Sequence, residues 1–238
     1  MTTAKLCAFK FQFQALRVFG VPILAFILTI LVAYLLGSIP TGFLVGKSRG
    51  VDMRQLGSGN IGATNVFRFL GKPAGIFVLL ADALKGWLAV AVAAPLIAAW
   101  FDGSISSLTL EWMKICAMLA AVLGHNYTCW LYFKGGKGIA TSAGAMIALA
   151  PWAFAIIFSI FLLVLAVTRY VSLGSVCAAA ALPIATWLTT RSINMTIVTG
   201  ILGALAIYKH RGNIKRLREG TENRLGSKKA DAGGPAKS

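Results

Sequence analysis

The chain has 238 residues, of which 58% are hydrophobic and only 13% charged, with a formal net charge of +16 and a mean hydropathy of +0.77. Soluble domains carry roughly twice that charged fraction, so a water-soluble globule is excluded and an integral membrane protein is indicated. Anionic lipid head groups attract basic loops by about 1 kcal/mol per residue. That accounts for the positive charge without nucleic acid, whose binding modules have a polar fold with interleaved aromatics.

In chain order, residues 1–20 form an N-terminal extension carrying Lys5, Lys10 and Arg17. The apolar run behind it has no small-residue cleavage site and is followed by more apolar stretches, which predicts an uncleaved first helix. A spanning helix needs about 20 mostly apolar residues. Val21 to Val45 qualifies, softened by Gly37, Ser38 and Pro40, and Ala74 to Trp100 qualifies despite Asp82 and Lys85. Met113 to Phe133 is the third, with His125 near mid-span. Ile139 to Thr168 is too long for one crossing and contains Pro151, which predicts two spans turning near Ala150-Pro151. Leu173 to Leu188 and Ile193 to Tyr208 bring the count to about seven spans. The expected fold is all-α, a polytopic membrane helix bundle. A transmembrane domain covers 21–210, a segment 211–225 follows it, and a disordered basic tail occupies 226–238.

Basic residues fall in alternate loops. Lys47, Arg49, Arg54, Arg68 and Lys72 follow the first span, whereas Asp102 and Glu111 follow the second. Lys134 and Lys137 come after the third span, Arg169 after the fifth, and the C-terminal tail is basic throughout. Positive charge stays cytoplasmic, so this pattern sets the C-terminus inside. Seven spans then put the N-terminus outside, against Lys5, Lys10 and Arg17; an even number of spans, or weak retention of that short tail, would resolve the conflict, and seven is the expectation kept. Cys7, Cys116, Cys129 and Cys177 show no paired metal spacing, and Cys116 and Cys129 fall in one expected helix. They are expected as small apolar fillers.

Two glycine-threaded segments stand at the ends of spans, on the face expected to be cytoplasmic. The first is Leu56-Gly57-Ser58-Gly59-Asn60-Ile61-Gly62-Ala63-Thr64-Asn65-Val66-Phe67-Arg68. Its glycines allow tight turns that aim backbone N–H groups into one concavity, which suits an anion. Ser58, Asn60, Thr64 and Asn65 add neutral hydrogen-bonding groups, and Arg68 adds a planar fork that matches phosphate. No GK[ST] follows, so this is not a nucleotide P-loop. In the second segment, Lys134-Gly135-Gly136-Lys137-Gly138 feeds Ile139-Ala140-Thr141-Ser142, a tight turn opening a helix whose N–H groups and Lys137 favour negative charge.

Other constellations are weaker alone. Arg169 and Tyr170 suit a membrane interface, while Ser172 and Ser175 lie one helical turn apart. His125 fits an interhelical hydrogen bond, and Asp82 with Lys85, at i and i+3, can pair. His210 and Asn213 share a face after the last span, as head-group contacts or ligands of the same anion. Arg216, Glu219 and Glu222 suit solvated charge. No metal cluster, GxSxG elbow or HxxxxD pair occurs. With only seven acids in the chain, the chemistry expected is stabilisation of negative charge.

The run 57–65 ending in Arg68 resembles the first motif of the bacterial acyl-phosphate:glycerol-3-phosphate acyltransferases, the PlsY family. Gly124-His125-Asn126 through Thr141 resembles their second motif, and Arg169-Tyr170-Val171-Ser172-Leu173-Gly174-Ser175 their third. His210 to Leu217 and Gly220-Thr221-Glu222 are similar to the C-terminal signature. Thr128-Cys129 and Gly174 depart from the usual pattern. The resemblance implies a seven-helix inner-membrane enzyme, open to the cytoplasm. It would transfer a fatty acyl group from acyl phosphate to the 1-hydroxyl of glycerol 3-phosphate, giving lysophosphatidic acid and phosphate without a cofactor or metal. It implies Ser58, Arg68, Lys137, Ser175 and His210 as catalytic residues. Gly57, Gly59, Asn60, Gly62, Thr64, Asn65, Gly135, Gly136, Gly138, Thr141, Ser172 and Asn213 would bind substrate. The partners implied are these two substrates, membrane lipid and the enzyme supplying acyl phosphate. In the mechanism expected, glycine loops hold the leaving phosphate and Arg68 and Lys137 neutralise developing charge. Ser175, His210 and Asn213 orient the acceptor; a substrate phosphate, or else His210, takes the proton. The alternatives are a phosphate or organic-anion transporter, which would show internal repeats and mid-membrane sites, and a structural membrane protein, which has no use for two cations set in glycine.

Overall fold

The computed structural model describes residues 21–101 and 105–226. The N-terminal extension with Cys7, the acid Asp102 and the tail from 227 onward lie outside the described residues. The described chain is helical. In order come α1 (Val21–Ser38), α2 (Thr41–Ser48), a 3₁₀ turn (Met53–Gln55), α3 (Ala63–Leu70) and α4 (Lys72–Leu88). A π turn (Ala89–Ala93) joins α4 to α5 (Ala94–Ala99), and α6 (Ser107–Asn126) follows. After a 3₁₀ turn (Cys129–Leu131) come α7 (Ile139–Leu149), α8 (Pro151–Thr168), α9 (Val171–Thr190), α10 (Ile193–Lys209) and α11 (Arg211–Arg218).

Five segments are long and apolar enough to cross a membrane: Pro22–Ser48, Lys72–Ala99, Ser107–Leu131, Pro151–Thr168 and Val171–Thr190. Of the seven expected spans, those at Ile139–Leu149 and Ile193–Lys209 form apolar helices of 11 and 17 residues. The expected break at Ala150-Pro151 is present: Ala150 leaves the helical region and Pro151 opens α8, where a missing N–H costs nothing.

The third expected span needs correction. Ser106 caps its start by accepting the Thr109 N–H at 3.1 Å, and the helix ends at Asn126, where Tyr127 turns away at φ −135°. His125 therefore lies in the last turn of α6, not near mid-span, and Cys129 falls in the following 3₁₀ turn instead of sharing a helix with Cys116. The three described cysteines, Cys116, Cys129 and Cys177, are free and half-buried.

The described residues divide into two compact units, one within 21–41 and 80–151 and the other within 42–79 and 152–226. In the first unit α1 packs on α6 through backbone proximity: a Cβ on Gly37 would stand 2.1 Å from the Ala121 carbonyl oxygen, and one on Gly124 2.3 Å from that of Tyr34. Such small-residue contacts hold helices together in lipid, where apolar burial alone gives little preference for protein over solvent. In the second unit α9 packs on α10, and α8 presents apolar side chains outward, with Leu163 66% and Val167 77% exposed. Water would penalise that surface; hydrocarbon does not.

The π turn has a local cause. Pro95 lacks an N–H and its ring would meet the carbonyl of Ala91 in a regular α-helix. One extra residue is accommodated and the Ala94 N–H bonds to the Ala89 carbonyl, five residues back.

Candidate functional site

In the second unit the first glycine segment is a loop tied down by one side chain from α3. Asn65 is buried and its Nδ2 donates to the carbonyls of Met53 (3.3 Å) and Leu56 (2.9 Å), while its Oδ1 accepts the Ser58 N–H at 3.4 Å. Gly57 and Gly59 take positive φ of 55° and 66°, which the tight turn requires. Asn60 Oδ1 accepts the Gly62 N–H at 2.7 Å, and Gly62 stands at the N-cap of α3. Ser58 is exposed, and Thr64, in the first turn of α3, is half-buried. Asn65 here serves the loop's own backbone, so its amide acts as a strut. Arg68, half-buried in the last turn of α3, donates from Nη2 to the Asn223 carbonyl at 3.3 Å. Burial weakens the proton affinity of its guanidinium; nearby Glu222 opposes that effect, and Arg216 adds to it.

The same unit contains a knot that the sequence assigned to solvent. Glu222 is 7% exposed and accepts from Ser172 Oγ (2.8 Å), Asn213 Nδ2 (2.7 Å) and Arg216 Nε (2.7 Å). The expectation of a solvated Glu222 is therefore wrong, because three donors converge on it from α9 and α11. Burial raises the proton affinity of its carboxyl, but the bonds from Asn213, Ser172 and Arg216 outweigh that and hold it below the usual glutamate value. Glu219 and Lys215 do form an exposed surface pair, 3.8 Å apart. The segment after Glu222 lies along the turn between α8 and α9: the Leu225 N–H donates to the Arg169 carbonyl at 2.7 Å and Arg224 Nε to the Tyr170 hydroxyl at 3.1 Å. Ser175 is buried and donates to the Val171 carbonyl at 2.9 Å. His210 is buried, and its Nδ1 donates to the Ala206 carbonyl at 2.8 Å, so in the neutral ring Nε2 is the basic nitrogen. Gly174, one of the departures, lies against Phe161, whose Cδ2 is 2.9 Å from where a Cβ would stand.

In the first unit the second glycine segment folds back on the end of α6. The Gly135 N–H bonds to the Asn126 carbonyl (3.2 Å) and the Gly136 N–H to the His125 carbonyl (2.9 Å). Gly138 caps α7 in the left-handed region at φ 79°. Lys137 is half-buried, and Thr141 is fully buried with a hydroxyl that has no hydrogen-bond partner among the described residues. Asp82 and Lys85 pair as expected, at 2.9 Å, and Lys85 Nζ also donates to the Ile39 carbonyl at 2.8 Å. His125 joins them, with Nδ1 at 3.7 Å from Asp82. Thr128, the other departure, is buried and donates to the Ser38 carbonyl at 2.6 Å.

In chemical terms the chain supplies cations, hydroxyls and backbone N–H groups while its buried carboxylates are held in ion pairs. That set suits binding of phosphate and stabilisation of charge. The family model for glycerol-3-phosphate acyltransferase matches residues 27–220. A protein of that name from Geobacter sulfurreducens is 46% identical over 194 residues, covering 82% of this chain and 94% of the relative. Another from Geotalea daltonii is 47% identical over 197 residues, covering 83% and 96%. Among solved structures, the chain is similar to PlsY, an integral membrane glycerol 3-phosphate acyltransferase. Its glycerol 3-phosphate form matches at TM-score 0.74 and 40% identity, covering 84% of this chain and 96% of that one. The lysophosphatidic acid form matches at TM-score 0.72 and the same identity, covering 84% and 95%.

Proposed function

The chain belongs to the glycerol-3-phosphate acyltransferase family, and on that premise we propose that its acyl donor is an acyl phosphate and its acceptor the sn-1 hydroxyl of glycerol 3-phosphate. The hydroxyl oxygen attacks the acyl carbonyl, the bond from carbonyl carbon to phosphate oxygen breaks, and lysophosphatidic acid and inorganic phosphate leave. This is the first acylation of membrane phospholipid synthesis. The protein works in the bacterial inner membrane, with its reacting groups and C-terminus on the cytoplasmic side, as the alternation of basic loops supports. An enzyme that makes acyl phosphate supplies the donor.

One observation carries the choice of donor: no described carboxylate is placed to act as a base. Asp52, Asp82, Glu219 and Glu222 are in ion pairs, and Glu111 is exposed in the first turns of α6, at the other end of that helix from His125. A donor that brings its own phosphate supplies both a good leaving group and an acceptor for the hydroxyl proton. In this proposal Gly57, Gly59, Asn60, Gly62, Gly135, Gly136 and Gly138 shape the backbone that holds the leaving phosphate, with Ser58, Thr64 and Thr141 as hydroxyl donors. Asn65 keeps the first loop in shape. Arg68 and Lys137 neutralise developing charge; Ser175, His210 and Asn213 orient glycerol 3-phosphate, with Ser172 beside them and the segment 211–225 completing the site. Proximity and charge stabilisation supply the acceleration.

Purified protein given glycerol 3-phosphate and palmitoyl phosphate should release lysophosphatidate and phosphate in equal amounts, and palmitoyl-CoA should not substitute. Absence of product together with anion uptake in proteoliposomes sinks the proposal in favour of a transporter. Near-wild-type turnover by His210→Ala excludes the histidine as base, whereas Arg68→Ala and Lys137→Ala must each lose activity while remaining folded.

A further inference from the structure

We infer that His125 is a positioning residue: its imidazole is the spacer through which the buried Asp82–Lys85 pair sets the place of the backbone carrying Lys137. The inference rests on the proposal that the Gly135–Gly138 loop handles substrate phosphate. A Cβ on Gly136 would stand 2.0 Å from His125 Nε2, 2.8 Å from Cε1 and 2.9 Å from Cδ2, so the loop backbone lies on the ring itself. The main chain makes the same connection, since the Gly136 N–H bonds to the His125 carbonyl at 2.9 Å and the Gly135 N–H to that of Asn126 at 3.2 Å.

Behind the ring the contacts continue inward. Nδ1 is 3.7 Å from Asp82 Oδ1, which is 2.9 Å from Lys85 Nζ, and Lys85 donates to the Ile39 carbonyl at 2.8 Å. Asp82 is 2% exposed and His125 6%. Buried charge in a spanning segment is costly and is kept where it has a task. Holding α4 in place needs only the Asp82–Lys85 pair and the bond to Ile39. It does not need an imidazole between that pair and a glycine. The ring and Gly136 are a matched set: any side chain at 136 must displace His125, and loss of the ring removes the floor of the loop. The loop is proposed to hold the donor's phosphate, so moving its floor weakens the grip on the donor, which is read in the KM for palmitoyl phosphate.

The test is a four-protein cycle of wild type, His125→Asn, Gly136→Ala and the double variant, purified in detergent and assayed with palmitoyl phosphate and glycerol 3-phosphate. Gly136→Ala is expected to raise KM for palmitoyl phosphate about tenfold or more, with KM for glycerol 3-phosphate unchanged. His125→Asn raises it to a similar extent, and the double variant is no worse than His125→Asn because the added methyl now has room. A merely structural role would lower the active fraction, and so kcat, without moving one KM against the other. Additive losses in the double variant, or an unchanged KM in His125→Asn, overturn the inference. If His125→Asn does not fold, His125→Gln takes its place in the cycle with the same outcomes. Thermal unfolding of the same proteins decides the ring–glycine contact without turnover: His125→Asn is expected to reverse the loss of midpoint caused by Gly136→Ala, and failure to do so overturns it. Wild-type protein that makes no lysophosphatidate counts against the proposed reaction, while the unfolding cycle still judges the contact.

Discussion

Asp82 and Glu222 are both buried carboxylates, yet they are compensated in different ways. Asp82 sits inside a spanning helix and its principal partner, Lys85, is one turn along the same helix at 2.9 Å. Glu222 sits beyond the last helix and is met by Ser172 from α9 and by Asn213 and Arg216 from α11, two of the three being neutral donors. The difference arises from the surroundings. In hydrocarbon a charge must travel with its counter-charge, so the pair is written into one helix and exists before helices dock. Near water the carboxylate can wait for tertiary structure, and a partly exposed arginine can complete it last. The first arrangement anchors a helix, and the second latches the end of the described chain.

The largest expected effect tests the anchor. Lys85→Met leaves Asp82 buried without its ammonium partner and should cost about 3–5 kcal/mol, read as a lowered unfolding midpoint in detergent. A loss below about 1 kcal/mol, the level of an exposed pair, would erase the contrast. Next comes the latch. Glu222→Ala strands three donors but leaves Arg216 able to turn to water, so about 2–3 kcal/mol is expected, with faster proteolysis after residue 218.

Acid should sharpen the comparison further. The folded carboxyl of Glu222 titrates below its ordinary value of 4.5, so the unfolded chain takes up that proton first as pH falls. The stabilisation is complete above pH 4.5 and is lost as pH drops from there through the folded value. The midpoint difference between wild type and Glu222→Gln should therefore shrink on acidification below pH 4.5; a difference that stays constant there breaks the argument. The smallest effect belongs to Asp52. The side chain and N–H of Arg54 hold its carboxyl at about 2, but the Arg54 side chain is 39% exposed, so solvent screens the pair from that side. Asp52→Asn should leave the midpoint unchanged, and a loss matching that of Glu222→Ala would mean that the convergence of donors from two helices on Glu222 is not what separates these sites.

Much of the fold was legible in the sequence because apolar runs and Pro151 act locally. The two glycine loops were legible for the same reason, since positive φ at Gly57, Gly59 and Gly138 is a property of single residues. The end of α6 was not, because Tyr127 departs from the helix where the apolar pattern runs on to Phe133. Nor was the way Asn65 ties down its own loop, with its amide donating to the Met53 and Leu56 carbonyls. Glu222 was misjudged outright. Among Arg216, Arg218 and Glu219 it has the composition of a solvated helix end, and Ser172, which converts it to a buried acceptor, is 50 residues away.

The π turn between α4 and α5 has a consequence for the length of that span. Buried residues in this span fall at Val78, at Asp82, at Lys85 and Gly86, at Ala89 and Val90, then at Ala94 and at Ile97 and Ala98, so across the π turn the centre of the stripe steps from between 89 and 90 to 94, further than one regular turn. The surplus residue leaves the register of α5 unshifted, because it is absorbed beside Pro95. The two halves of the span are thus out of phase in sequence and in phase in space. Deleting Ala91 together with Pro95→Ala would leave Asp82 and Ala98 facing as they do now, in a helix one residue shorter. A single insertion elsewhere in the span would turn one half by about 100° against the other.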